Sequence, residues 1–102
     1  MNSDYIMNTY SPSDLTFESG EGSWLFEKNG EKYLDFASGI AVNSVGHCHP
    51  HLVAEIQRQA SKLIHTSNLY NISQQERLAK RLCNLSFADS VFFANSGAEA
   101  NE

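Results

Sequence analysis

Asn29-Gly30 joins two aromatic-rich runs. Residues 23–28 (Ser-Trp-Leu-Phe-Glu-Lys) precede the pair, and residues 31–36 (Glu-Lys-Tyr-Leu-Asp-Phe) follow it. Both central residues of a two-residue hairpin turn need positive φ, and Asn and Gly tolerate it best. The pattern predicts an antiparallel hairpin with Asn29 and Gly30 both left-handed. Residues 15–18 (Leu-Thr-Phe-Glu) can add a strand, with Gly20 and Gly22 letting the chain turn between. Residues 1–14 are polar with scattered aromatics, have no clean period and are broken by Pro12, so they read as a loosely structured arm.

Residues 37–50 (ASGIAVNSVGHCHP) follow neither a strand nor a helix period. They are too apolar for a solvated loop, which predicts cover by another domain or subunit. A helical period then begins. Leu52, Val53, Ile56, Ala60, Leu63 and Ile64 form one stripe, with Pro50 in the first turn, where its missing N–H costs nothing. Ser73 with Glu76 fits a capping box opening a second helix, with Leu78, Leu82 and Leu85 as its stripe. Glu76 and Lys80 are spaced to pair across one turn. Residues 90–94 (Ser-Val-Phe-Phe-Ala) predict a short buried strand, residues 95–98 a turn, and residues 99–102 the first turn of a helix. One turn and one strand are not stable by themselves, so the pattern suggests a chain interrupted within an element.

The chain has 102 residues, 41% of them hydrophobic, and a net charge of −5, which exclude a disordered tail and disfavour a dedicated nucleic-acid binder. No apolar run approaches membrane-spanning length, and the first residues lack a secretory pattern. Two cysteines, Cys48 and Cys83, make no disulfide framework, and a reduced cytoplasmic setting is the simplest expectation.

Three stretches can carry chemistry. At residues 91–102, Gly97 in a turn at a helix N-terminus would leave backbone N–H groups pointing outward, with the Ser96 hydroxyl beside them. The N–H groups of Gly97 and Ala98 and that hydroxyl would cradle a phosphate. A plain strand-to-helix turn with Ser96 as N-cap explains the same residues. Ser96 as a nucleophile is disfavoured, because its flanks do not match G-x-S-x-G. His47-Cys48-His49-Pro50-His51 offers metal-ligand types at poor spacing, since alternate residues of an extended run point opposite ways. A helix-entry turn with hydrogen-bonded histidines is the simpler reading. Residues 67–71 (Ser-Asn-Leu-Tyr-Asn) can line a pocket through Asn68 and Tyr70, or cap helix ends. Asp35, at the hairpin's end, reads as a solvated or capping carboxylate. None of Lys28, Lys32, Lys62 and Lys80 sits in a run that predicts the desolvated pocket of an activated amine.

Two runs go beyond generic patterns: Ser38-Gly39-Ile40-Ala41-Val42-Asn43 continuing through Gly46-His47-Cys48-His49-Pro50, and residues 92–102 (FFANSGAEANE). With Tyr33-Leu34-Asp35-Phe36 and residues 65–70 (HTSNLY), they resemble the start of the class III pyridoxal-phosphate-dependent aminotransferases, most closely the acetylornithine branch. The resemblance runs the length of the chain. It implies an α/β fold: the N-terminal part of a fold-type-I pyridoxal-phosphate transferase. Residues 1–65 would be the arm and a small-domain segment, and residues 66–102 the start of the large cofactor domain. It implies pyridoxal 5'-phosphate as cofactor, with Ser96, Gly97 and Ala98 on its phosphate and Asn68 and Tyr70 near the substrate entrance. Some relatives carry Thr where Ala98 stands, so this position offers only its backbone N–H.

The implied reaction moves an amino group from N-acetylornithine to 2-oxoglutarate in arginine biosynthesis, in a cytoplasmic homodimer. The implied Schiff-base lysine, ring-nitrogen acid and stacking aromatic have no counterpart in these residues. The chain by itself is therefore expected to be inactive, and with the strand at 91–94 lacking sheet neighbours it is expected to melt with poor cooperativity or to aggregate. Other readings are another class III activity (ornithine or succinylornithine), a non-catalytic remnant bound to a full-length subunit, and a small metal module.

Overall fold

A computed structural model describes residues 5–102. Part of the expected arm lies outside them; residues 5–16 are exposed and carry no helix or strand.

Three strands follow, β1 (Phe17–Glu21), β2 (Trp24–Glu27) and β3 (Lys32–Leu34), antiparallel in the order β1-β2-β3. The first strand is real but shifted toward the glycines, with a bulge between Phe17 and Ser19. Leu25 pairs with Tyr33 on one face, and Trp24 with Leu34 and Phe26 with Lys32 on the other. The Phe17 and Tyr33 rings meet edge to face at 5.5 Å. The Lys32 ammonium stands 3.9 Å over the Trp24 ring.

The hairpin forms with a different turn. Gly30 has φ 91°, whereas Asn29 is not left-handed. The Gly30 N–H donates to the Glu27 carbonyl at 2.8 Å, and the Glu27 N–H to the Glu31 carbonyl at 2.8 Å. This is a three-residue loop closed by a left-handed glycine. The Asn29 side chain explains the choice. Its Oδ1 accepts from the Glu31 N–H at 2.8 Å while its own N–H donates to Glu27 Oε2 at 2.7 Å. Those local bonds fold Asn29 into the turn and leave positive φ to Gly30 alone.

Residues 38–47 are not irregular throughout. Ser38–Ala41 forms α1, a single turn whose four residues all have positive φ: 51°, 63°, 63° and 61°. Three of them carry a Cβ, and left-handed backbone costs about 1–2 kcal/mol for each such residue. Ile40 is 92% exposed, and Val42 and Val45 are exposed with it. The expected apolar loop is present, and nothing within the described residues covers it.

The helix α2 spans Pro50–Ala60 with Pro50 in the first turn. It stops before Leu63 and Ile64, which therefore leave the predicted stripe. The Lys62 and Leu63 N–H groups both turn back to the Gln59 carbonyl, and the Gln59 amide donates to the Leu63 carbonyl at 2.7 Å, closing the end. The next helix, α3, spans Ser73–Leu85. Its N-cap is Ile72 rather than Ser73, without a side-chain bond. The Ser73 hydroxyl donates to Gln74 Oε1, so the expected capping box does not form. Nor is a Glu76–Lys80 ion pair found among the described residues. Both groups stand in solvent, where such a pair gains little.

Residues 91–94 are not a strand: they make no ladder, and Phe92 is 80% exposed. A strand needs a neighbour for its N–H and C=O groups, and none lies within the described residues. The last helix, α4 (Gly97–Asn101), begins two residues earlier than expected.

No described residue is fully buried. The accessible surface is 9694 Å² for 11.4 kDa, where size scaling gives about 5800 Å² for a self-sufficient monomer. The apolar stripes are in place, and their cover is missing. The chain divides into two units, Met1–Leu63 and Ile64–Glu102.

Candidate functional site

In the second unit, the connector between α2 and α3 is shaped by Ser67, left-handed at φ 71°. The Ser67 hydroxyl accepts from the Leu69 N–H at 3.2 Å, and the Ser67 carbonyl from the Tyr70 N–H at 3.3 Å. This turn sets Asn68 and Tyr70 beside α3 and residues 91–94. Asn68, Tyr70, Gln75, Glu76, Val91 and Phe93 line an open concavity of about 400 Å³. A second, of about 510 Å³, shares Asn68, Ile72, Gln75 and Phe93 and runs on to His65, Ala94 and Asn95. Its lining mixes the Phe93 ring and Ile72 with the amides of Asn68, Gln75 and Asn95 and the Ser67 hydroxyl, a lining suited to a small molecule with both polar and apolar parts.

Ser96 follows Asn95 and is the N-cap of α4. Its Oγ accepts from the Glu99 N–H at 3.3 Å and donates to Glu99 Oε2 at 2.7 Å. The N–H groups of Gly97 and Ala98 have no acceptor among the described residues. A Cβ added to Gly97 would meet nothing within 4 Å, so the approach to these amides is open. Asn68 and Tyr70 thus share one concavity. Ser96, Gly97 and Ala98 line neither, although Asn95, one residue before Ser96, lines the second.

The histidine run behaves differently in the first unit. His47 exchanges two backbone bonds with Gly22, at 3.0 and 2.7 Å. Its ring lies against Gly20, where an added Cβ would come within 2.7 Å of His47 Cγ. The ring Nε2 bonds Asp35 Oδ2 at 2.7 Å. Among the described residues no three His, Cys, Asp or Glu side chains gather as metal ligands. His47, three residues ahead of α2, is hydrogen-bonded to Asp35 and bridged to the hairpin edge at Gly22.

Asp35 caps as expected but is not solvated: its side chain is 8% exposed. Its Oδ1 accepts from the Ser38 N–H at 2.8 Å and the Ala37 N–H at 3.0 Å. These donors hold the carboxyl below its ordinary range, the Ser38 N–H first and the His47 ring second. No sequence period links Asp35 to a residue twelve positions away. The available hint was Gly20, Gly22 and Gly46, because glycines in and beside strands often mark a close backbone approach.

The family profile described as aminotransferase class-III matches residues 5–102, and the chain belongs to that family. Within it, the chain is 60% identical over 97 residues to the acetylornithine aminotransferase of Agrobacterium fabrum, covering 95% of this chain and 24% of that protein. It is 57% identical over all 102 residues to the acetylornithine aminotransferase of Mesorhizobium japonicum, covering 26% of that protein. The crystal structure of N-acetylornithine aminotransferase from Stenotrophomonas maltophilia superposes with a TM-score of 0.81 at 43% identity, over 88% of this chain and 25% of that one. The acetylornithine aminotransferase of Elizabethkingia anophelis superposes with a TM-score of 0.89 at 34% identity, over 95% and 25%. The chain therefore spans about a quarter of the length of the relatives it matches, and its fold class is that of an α/β aminotransferase segment.

Proposed function

We propose that these residues form the N-terminal part of a pyridoxal-phosphate-dependent aminotransferase that moves an amino group from N-acetylornithine to 2-oxoglutarate in arginine biosynthesis. The identity to acetylornithine aminotransferases across nearly the whole chain carries the reading. The active protein is then a cytoplasmic homodimer, with residues 1–65 in its small domain and residues 66–102 opening its large domain.

Pyridoxal 5'-phosphate, when bound, supplies an electron sink at the carbon that carries the substrate amine. Ser96, Gly97 and Ala98 fit its phosphate by their donor chemistry: two N–H groups without acceptors at a helix start, in front of a residue with no side chain. The Ser96 hydroxyl adds a third donor by turning from Glu99 Oε2 to the phosphate. Asn68 and Tyr70, which line one concavity, would offer an amide and a phenol to the substrate. Lys28, Lys32, Lys62 and Lys80 are all exposed, and none stands in an enclosed pocket of the kind a nucleophilic amine needs. The chain by itself therefore holds one corner of the cofactor site and does not turn over.

A chimera tests this directly. These residues replace the matching quarter of the Agrobacterium protein, and glutamate formation from N-acetylornithine and 2-oxoglutarate is measured. We expect activity within about tenfold of the parent, a difference of ~1.4 kcal/mol. Ser96→Ala in the chimera should weaken cofactor retention more than it slows the saturated enzyme. A folded chimera that retains the cofactor but has no activity with N-acetylornithine would overturn the substrate assignment.

A further inference from the structure

The left-handed turn α1 is unfavourable as a local structure. Ser38, Ile40 and Ala41 all carry a Cβ, and Ile40 is also β-branched, the residue type least at home there. Burial does not hold it either, because Ile40 points into solvent. What holds it is a set of hydrogen bonds converging from both ends. Asp35 Oδ1 takes the Ala37 and Ser38 N–H groups at the entry of the turn. The Ser38 hydroxyl reaches forward to the Asn43 carbonyl at 3.1 Å. Asp35 Oδ2 is bonded to His47, which is fastened to the edge of the hairpin through Gly22 and packed on Gly20. One carboxylate thereby ties the strand edge to the handedness of a turn.

We infer that Asp35 and His47 form a conformational clamp that keeps Ser38–Ala41 left-handed and so presents Ile40 and Val42 outward as a preformed apolar edge. Asp35 is the hub, because its two oxygens serve the two sides. His47 is the side-chain anchor: the Asp35 backbone already follows β3 and donates to the Ser23 carbonyl at 2.8 Å, and His47 fixes the orientation of its carboxylate against Gly22. Without the clamp, Ile40 and Ala41 return to the right-handed or extended backbone they prefer, and the apolar edge loses its fixed shape. This inference concerns the first unit and does not rest on the cofactor reading.

Backbone NMR of the full-length chimera described above, isotope-labelled only in residues 1–102, tests it, reading amide exchange together with one-bond Cα–Hα couplings, which separate positive from negative φ. Asp35→Ala is expected to raise exchange at Ala37 and Ser38 by roughly 10- to 100-fold, the size expected for losing charge-assisted hydrogen bonds. It should also abolish positive φ at Ile40 and Ala41 while the amides of β2 and β3 stay protected. His47→Phe keeps a ring on Gly20 and removes the donor, so it should give the same changes at smaller amplitude. Adding Ile40→Gly to Asp35→Ala should restore the turn, because glycine adopts it without strain. Positive φ retained at Ile40 in Asp35→Ala, or no restoration by Ile40→Gly, overturns the clamp. If Asp35→Ala also loses the hairpin, Ile40→Gly in the otherwise unchanged chain decides. Slower exchange at Val42 and Asn43 supports a strained, clamped turn, and unchanged or faster exchange overturns it.

Discussion

The chain contains two strand-and-turn regions with opposite outcomes. Residues 17–47 close on themselves: three sequential strands pair antiparallel, and the loop after them is fastened back by Gly22 and Asp35. Residues 91–101 have as clear a sequence pattern and form only the turn and the short helix α4, without the strand. The difference is the sequence distance to the partner. A meander pairs neighbours a few residues apart, whereas a buried strand ahead of a helix needs parallel neighbours from far along a chain. The first region carries its own partners, and the second has none within the described residues.

Substitutions can sharpen that contrast. The largest effect is expected from Gly46→Ala. The added Cβ would lie 2.8 Å from the Gly22 carbonyl oxygen at φ 79°, a backbone clash combined with strain. It should cost about 3 kcal/mol, read as lost protection of Gly22 and His47 amides with the α3 amides unchanged. Gly30→Ala should cost about 1–2 kcal/mol by forcing a Cβ into the left-handed turn position, measured by the thermal shift of the hairpin signals. Ser96→Ala removes the cap of α4 and should cost about 1 kcal/mol, with faster exchange confined to Glu99 and Ala100. An effect that reached the hairpin would break the comparison. Lys32→Ala should cost about 0.5–1 kcal/mol through the lost contact with Trp24, visible as smaller ring-current shifts in β3.

Acid separates the regions as well. The Asp35 carboxyl is held below its ordinary value of 3.8. A lowered folded-state pKa contributes stability that is present above the ordinary value and is lost as pH falls through the lowered one. Protection of Ala37 and Ser38 should therefore be level from neutral pH down to the ordinary carboxylate range and collapse below it. The Leu69 and Tyr70 amides, bonded to a serine hydroxyl and a carbonyl, should show no such step.

Much of the local architecture was legible. Asn29-Gly30 marked the hairpin and Pro50 the start of α2, and Ser96 was readable as the N-cap of a helix expected two residues later than α4 begins, because each depends on a backbone preference acting within a few residues. Errors arose where side chains compete for the same backbone groups. Asn29 spent its amide on a local turn, and Ser73 bonded Gln74 instead of capping. The connector carrying Asn68 and Tyr70 could be read only as pocket or cap, because nothing in it shows which helix face it will meet. The Asp35–His47 pair was invisible, since its members meet only after β1 and β2 have brought Gly20 and Gly22 beneath the ring.

The sequence by itself determined the order of elements, their apolar stripes and the family, because periodicity, turn chemistry and matched residues are properties of neighbours along the chain. The tertiary structure decided which of those elements are complete. It left the strand at residues 91–94 unformed for want of a pairing partner. It set Ser38–Ala41 left-handed against the preference of its own residues, because hydrogen bonds to the neighbouring Asp35 carboxylate, itself held by His47 from twelve residues away, outweigh local backbone strain.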